Sequence, residues 1–251
     1  MKKTLSAIIL ATAAFTAGAQ SFVVDQGKPE NTFELGVRLG FNTSNVTNNY
    51  TEAVPNMVQA HNNWQGGLAV GALVDMNIYN CLAVQTGVFY QRRRSDYQNL
   101  LIKEGSASFE YYDGKRHANY FQIPIMASFR MKLNKYIEGQ VDFGPYFAFG
   151  FGGKDKYTMY ETLTNEGGGV SIVQTPVKAD YFGDYGVHNS FDWGFKFGVG
   201  FEVQDHYYVG IHYDAGARNA LDKSPYSASS VTGLNKAWNF TLGYNFALPI
   251  K

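Results

Sequence analysis

The chain has 251 residues, enough for one large domain or two small ones, with 21 basic and 21 acidic side chains that cancel at neutral pH. No basic face for nucleic acid and no acidic tail follows from that balance. Twenty-seven Gly, 18 Tyr and 19 Phe against 17% charged residues suit strands far better than helices, and the single cysteine, Cys81, rules out an intramolecular disulfide framework and any CxxC site.

The first residues carry the three parts of a secretory signal: Lys2 and Lys3, an apolar run from Leu5 to Phe15, and Ala17-Gly18-Ala19 before Gln20. Residues 1–19 are therefore expected to be a signal peptide cleaved after Ala19, 20–32 a short periplasmic lead-in, and 33–251 a single domain. Beyond Ala19 no stretch approaches the ~20 apolar residues of a transmembrane helix.

Period-two alternation then recurs eight times. The apolar sets run from Phe33 to Phe41, Leu68 to Met76, Leu82 to Tyr90, Phe121 to Met131, Val141 to Phe151, Trp193 to Val203, Tyr207 to Ala215 and Trp238 to Phe246. None of these positions is charged. The intervening positions hold Glu34, Arg38, Asp75, Arg93, Arg130, Glu138, Asp142, Asp192, Lys196, Glu202, His212 and Asp214, together with thirteen glycines, whereas the apolar set has none. Glycine is costly in a strand, so its confinement to one face indicates crowding there, as on the concave side of a small closed barrel.

Connections alternate in length. Long polar stretches occupy 43–65, 93–118, 152–190 and 216–236, whereas tight turns are expected near 77–81, 132–136 and 204–206. Short turns on one side and long loops on the other define an all-β, eight-stranded up-and-down antiparallel transmembrane β-barrel with long extracellular loops. A soluble barrel with its apolar face inward would have to pack too many aromatic rings into an eight-stranded interior and would expose its glycines. Tyr90, Trp193, Tyr207, Tyr213, Trp238 and Tyr244 fall mostly near strand ends, where bilayer interfaces favour amphipathic rings. Two hairpins are expected above the bilayer, one turning at Asp113-Gly114 and one at Gly167-Gly168-Gly169. Pro124 and Pro145 each remove a strand donor, so a bulge and a one-residue slip of parity are expected beside them.

The series Tyr120-Phe121-Gln122-Ile123-Pro124-Ile125, then Gly144-Pro145-Tyr146, then Phe191-Asp192-Trp193-Gly194 with Gly198 and Gly200 resembles the strand motifs of the PorT-like outer-membrane β-barrel family of Bacteroidetes, over roughly Thr32 to Phe246. The resemblance implies an outer-membrane location and a barrel domain, and no catalytic residues.

The sequence contains no phosphate loop, HExxH, G-x-S-x-G or EF-hand spacing, and its five histidines show no i, i+3 or i+4 pairing, so no catalytic, cofactor or metal site is expected. Inward charges are expected to pair and so close the lumen. A turn centred on Asp205 sets Lys196 opposite Asp214, and one centred on Asn134 sets Arg130 opposite Glu138; these four are the candidate site residues. The expected partners are outer-membrane lipid and a protein or glycan at the outer loops, with no nucleic acid. The leading expectation is a non-enzymatic structural or adhesive barrel. Two alternatives stay open: a narrow channel or assembly subunit of a secretion system, and a lipid-modifying enzyme using His212, near which no serine is expected at matching depth.

Overall fold

The computed structural model describes residues 24–48, 57–102, 109–164, 168–183, 188–221 and 232–247. The segment expected to be a leader, and its cleavage point, lie outside these residues. Nine strands follow in chain order: β1 Phe33–Asn48, β2 Met57–Tyr79, β3 Leu82–Ile102, β4 Phe109–Lys132, β5 Ile137–Thr164, β6 Val170–Asp180, β7 Phe191–Val203, β8 Tyr207–Gly216 and β9 Gly233–Ala247. Eight of them close a ring in which every neighbour is antiparallel, with β4 on β5, β5 on β7, and β9 back on β1. The seam between β1 and β9 runs from Glu34 opposite Ala247 to Asn48 opposite Gly233. β6 is outside the ring and pairs with the outer part of β5, from Lys154 opposite Asp180 to Thr164 opposite Val170, forming the second of the two expected hairpins.

Alternation puts the apolar set on the outside. Leu39 is 60% exposed and Leu242 66%, whereas Asp142 and Asp214 on the inner face are wholly buried. Polar side chains inside and aliphatic or aromatic ones outside are stable only where the surroundings are hydrocarbon, which decides for a membrane barrel over a soluble one. The inner face is as crowded as its glycines imply. A Cβ on Gly144 would lie 2.0 Å from the Ile125 carbonyl oxygen, and Cβ atoms on Gly200 and Gly210 would lie 2.5 Å from Tyr208 Cε2 and 2.2 Å from its hydroxyl oxygen.

Several expected loops are strands. β5 has 28 residues and β4 has 24, where a tilted membrane crossing needs about 9–11. Much of 43–65, 93–118 and 152–190 therefore continues the barrel wall upward. Asp113-Gly114 makes no turn: Gly114 pairs with Tyr97 on β3 and Tyr157 on β5 in mid-strand. Its missing side chain makes room for a ring, since a Cβ there would lie 2.3 Å from Tyr97 Cζ.

Neither proline shifts the register. Pro124 pairs with Tyr146, and the alternation of exposure along β4 is unbroken through it. The slip occurs further up, between Asn119 opposite Gly152 and Tyr120 opposite Gly150, where Phe151 is the extra residue. Of the tight turns, the one between β7 and β8 holds Gln204 and Asp205 at φ of 55° and 59°, the left-handed backbone that such turns demand.

Charged substitutions on the outer wall report which side faces lipid. Phe197→Arg or Ile211→Arg should destabilise the barrel by about 2–4 kcal/mol, as lipid-facing Arg near the bilayer midplane does. Urea unfolding in vesicles measures it, with Phe197→Leu as the control; Arg accepted at both positions at no cost would reverse the assignment of the faces.

Candidate functional site

Because side chains of alternate residues all point inward from eight strands, the lumen collects groups that are far apart in sequence, and it does so in layers. At the lower, short-turn end Arg130 is the hub. Its Nη2 is 2.6 Å from Asp75 Oδ2, its Nη1 donates to Asn77 Oδ1 at 3.0 Å, and Glu34 and Glu138 lie at 3.8 and 3.9 Å. Below it opens a vestibule of about 470 Å³ whose walls include Asp25, Glu34, Glu202, Lys28 and Lys132. The lead-in crosses this mouth, tied by Asn80 N to Gly27 O at 3.0 Å and Asn77 N to Thr32 O at 2.8 Å.

One layer up, Arg38 lies over the Tyr208 ring at 4.0 Å in the slot made by Gly200 and Gly210. Asp142 accepts from Ser128 Oγ at 2.6 Å and Gln140 Nε2 at 2.9 Å, and faces His212 Nε2 at 2.8 Å. A serine does therefore stand at the depth of His212, contrary to expectation, because β4 and β5 bring it across from the far wall. The order is serine, carboxylate, imidazole, however. A nucleophile needs the imidazole in the middle to take its proton, so this trio ties down a buried carboxylate and does not activate Ser128.

The central layer is built on Asp214. Lys196 Nζ is 2.7 Å from Asp214 Oδ1, and Gln122 Nε2 and Arg93 Nη2 approach Oδ2 at 3.0 and 3.5 Å. Gln91 Nε2 donates to Gln122 Oε1 at 2.7 Å and to Asn239 Oδ1 at 3.1 Å. Arg93 also carries the layer above, with Nη1 2.9 Å from Asp192 Oδ2, to which Tyr146 Oη donates at 3.1 Å. Its guanidinium lies 4.8 Å from the centre of the Tyr120 ring. Among the described residues, two small spaces of about 10 and 20 Å³ lie between these layers, room for roughly one water each.

An aromatic cap closes the outer end. Tyr181 is buried among Ala118, Tyr120, Tyr146 and Ala148, with Phe182 packed against them in the space that Gly150 leaves. His188 stacks on Tyr181 at 3.9 Å between ring centres and sits 3.5 Å from Arg116 Nη1. Burial first, and then the Arg116 charge, hold the His188 imidazole well below its ordinary pKa.

The four sequence-derived site residues all face this lumen. Lys196 and Asp214 are directly opposed on β7 and β8 and in contact. Arg130 and Glu138 are not directly opposed: Arg130 faces Gln140, and Lys132 faces Glu138. The turn is displaced because Asn134 folds back on it, its Oδ1 accepting from the backbone N–H of Tyr136 and Ile137 at 2.8 and 2.9 Å. Sequence reasoning did not find the Asp75 contact of Arg130 or the Arg93 hub. Both are made to strands other than hairpin partners, and only barrel closure brings those together.

A closed antiparallel ring with a paired polar lumen and an apolar outer wall is a transmembrane β-barrel of the outer-membrane type. A profile described as the outer membrane protein beta-barrel domain matches residues 19–222, and the chain belongs to that family. Among solved structures it is similar to Ail, the attachment invasion locus protein of Yersinia pestis, crystallised with the heparin analogue sucrose octasulfate (13% identity, TM-score 0.38, 85% of this chain and 99% of that one). It is also similar to the outer membrane protein OprG of Pseudomonas aeruginosa (9% identity, TM-score 0.42, 89% and 100%) and to Neisserial surface protein A (12% identity, TM-score 0.34, 86% and 97%). No curated protein matches the sequence.

Removing the central anion should cost more than removing one of its cations. Asp214→Asn leaves Lys196 buried without a counter-charge beside Arg93, which keeps Asp192, a loss of about 3–5 kcal/mol, whereas Lys196→Met leaves Arg93 and Gln122 on the carboxylate and costs less. Equal unfolding midpoints for the two variants in urea would contradict the layer described.

The cap should loosen on acidification. With its folded pKa depressed, His188 is neutral in both states above about pH 6.5; below that the open state takes the proton first, and stability falls by up to ~1.4 kcal/mol per pH unit until the folded pKa is reached. Hydrogen exchange around Tyr181 and His188, corrected for intrinsic rates, should therefore speed up from pH 7.5 to pH 5 in the native protein and not in His188→Gln. A native cap that exchanges equally at both values would show that the imidazole is not held neutral.

Proposed function

We propose that this protein is a small non-enzymatic outer-membrane barrel of the PorT-like kind found in Bacteroidetes, exported with its signal peptide removed after Ala19, that acts through its outer surface while its lumen stays shut. The observation that carries this reading is the continuous stack, among the described residues, from Arg130 through Asp142, Asp214 and Arg93 to the Tyr181 cap, with spaces of about 10 and 20 Å³ between its layers. Arg130 is paired with Asp75, Lys196 with Asp214, and Arg93 with both Asp192 and Asp214, which makes the lumen expensive to open. Lys196, Asp214, Arg130 and Glu138 serve as structural closers in this scheme, and His212 as the partner of a buried carboxylate.

What remains for recognition stands above the membrane. The blade formed by the outer part of β5 with β6 rises beyond the ring, and β6 has no second neighbour among the described residues. Its Val170 and Ile172 are 65% and 61% exposed. An open strand edge bearing apolar side chains is a template for an added strand or an adhesive contact.

The purified barrel should give no unitary conductance in planar bilayers, and Arg93→Ala should raise the baseline by removing the hub of two layers. Steady channels in the native protein would return the narrow-pore alternative. Co-purification from outer membranes in mild detergent, comparing the native protein with one in which 160–175 is replaced by a two-residue turn, then identifies any species held by the blade; retention of the same species by both would place recognition elsewhere.

A further inference from the structure

The outward face of the tall wall carries a cationic ladder that the lumen chemistry does not use. On β3, β4 and β5 the inward residues Arg93, Arg116 and Asp155 are buried, so the alternate positions point away from the barrel. One rung runs across Arg94, His117 and Lys154, ending on Asp180. The next rung up runs across Lys115, Lys156 and Lys178, with Asp96 at its β3 end. Like charges directly opposite one another across strands are destabilising, and here three lysines in succession are so placed.

The acids at hand, Asp96, Asp113 and Asp180, offset the five Arg and Lys charges only in part. Asp180 is engaged by Lys154, and Asp96 accepts from Gln65 Nε2 at 2.8 Å. Among the described residues no carboxylate lies within ion-pairing distance of Lys115, Lys156 or Lys178. The three instead line an open cleft of about 470 Å³, with Asp113, Thr158 and Pro176 on its walls. His117, above the membrane-spanning part of β4, feels the same field: burial first, then Arg92, Arg94, Lys156 and Lys154, hold its pKa below the ordinary value.

Position names the anion. The ladder rises above the aromatic edge of the apolar belt, where Tyr90, Phe121 and Phe151 pack at 4.6 to 6.4 Å between ring centres. His117 is four residues above Phe121 and Lys115 six, so the rungs lie roughly 10 and 15 Å above that edge for strands tilted by about 40°. A glycerophospholipid headgroup zone is only about 5–7 Å deep per leaflet. Two rungs at those heights fit phosphates carried on a saccharide headgroup whose acyl chains lie against the belt below. We infer that the Arg94–His117–Lys154 and Lys115–Lys156–Lys178 rungs form a binding site for the phosphorylated headgroup of an outer-leaflet glycolipid. The site rests on the outer-membrane reading with the long strands outward. A soluble polyanionic glycan is the competing occupant, but it would favour the loop tips over a wall that begins at the lipid boundary.

The test uses the full-length mature barrel in phosphatidylcholine nanodiscs doped with fluorescent diphosphoryl lipid A. Quenching of Trp193 and Trp238 by brominated phosphatidylcholine reports insertion independently, so a failure of the membrane reading shows separately from a failure of the site. The native protein should retain diphosphoryl lipid A at least tenfold more tightly than the triple variant Lys115→Gln/Lys156→Gln/Lys178→Gln, and more tightly than it retains dephosphorylated lipid A. Lys236→Gln, on the opposite wall, should leave binding unchanged, and millimolar inorganic pyrophosphate should not displace the lipid. Equal retention by native and triple-variant barrels, equal retention of the dephosphorylated lipid, or displacement by pyrophosphate would overturn the proposal. So would ladder-dependent binding of a heparin fragment without lipid A binding. If the triple variant loses the heat-modifiable gel shift of a folded barrel, Lys156→Gln alone and Arg94→Gln alone carry the comparison, each expected to weaken binding severalfold and each overturning the site if it does not.

Discussion

A backbone that crosses hydrocarbon must bond all of its N–H and C=O groups within the protein, and in a sheet this is possible only if the first strand meets the last. The rest of this molecule follows from the β1–β9 seam. Its fifteen opposed pairs bring Phe33 and Ala247 to the same end of the ring and make an even number of strands obligatory for short turns on one side. Closure also dictates the inside-out distribution of polarity, because an eight-stranded ring is narrow enough to be filled by its own side chains and too enclosed to leave a charge alone.

That enclosure explains why the interior is built from hubs and not from isolated pairs. Arg93 joins Asp192 and Asp214, Arg130 joins Asp75, Glu34 and Glu138, and Asp142 gathers Ser128, Gln140 and His212. A guanidinium offers five donors in a fixed fork, so a few arginines satisfy many acceptors in little volume. Glycine provides the remaining room: the slot of Gly200 and Gly210 is what lets Tyr208 lie flat under Arg38.

Within the bilayer the sequence was highly legible, because lipid forbids charge on alternate residues and the pattern has no competitor. Strand number, face and the opposition of Lys196 to Asp214 follow from that pattern and a tight turn. Above the bilayer the rule lapses. Both faces of β3, β4 and β5 are polar there, so strands looked like loops, and the dipeptide Asp113-Gly114 looked like a turn when its glycine was making space for Tyr97. Hairpin counting sees only sequence neighbours. It could not reach the contact of Arg130 with Asp75, two strands away, or the folding of Tyr181 and His188 into the mouth.

The same lapse shows where selection had freedom to add function. β8 has 10 residues and β7 has 13, close to the bare requirement of a crossing, while β4 and β5 have 24 and 28. Extra wall is not needed for closure, and it costs chain entropy that only its own contacts offset. On its inner side those contacts exist, in Tyr97 with Asp155 and Arg116 with Ser95. On its outer side the wall carries opposed lysines that disfavour it, together with an open apolar strand edge in β6. Features that weaken a fold in isolation and cluster on one exposed surface are best explained by what that surface meets, and this is the physical ground for proposing that recognition uses the tall wall and not the lumen.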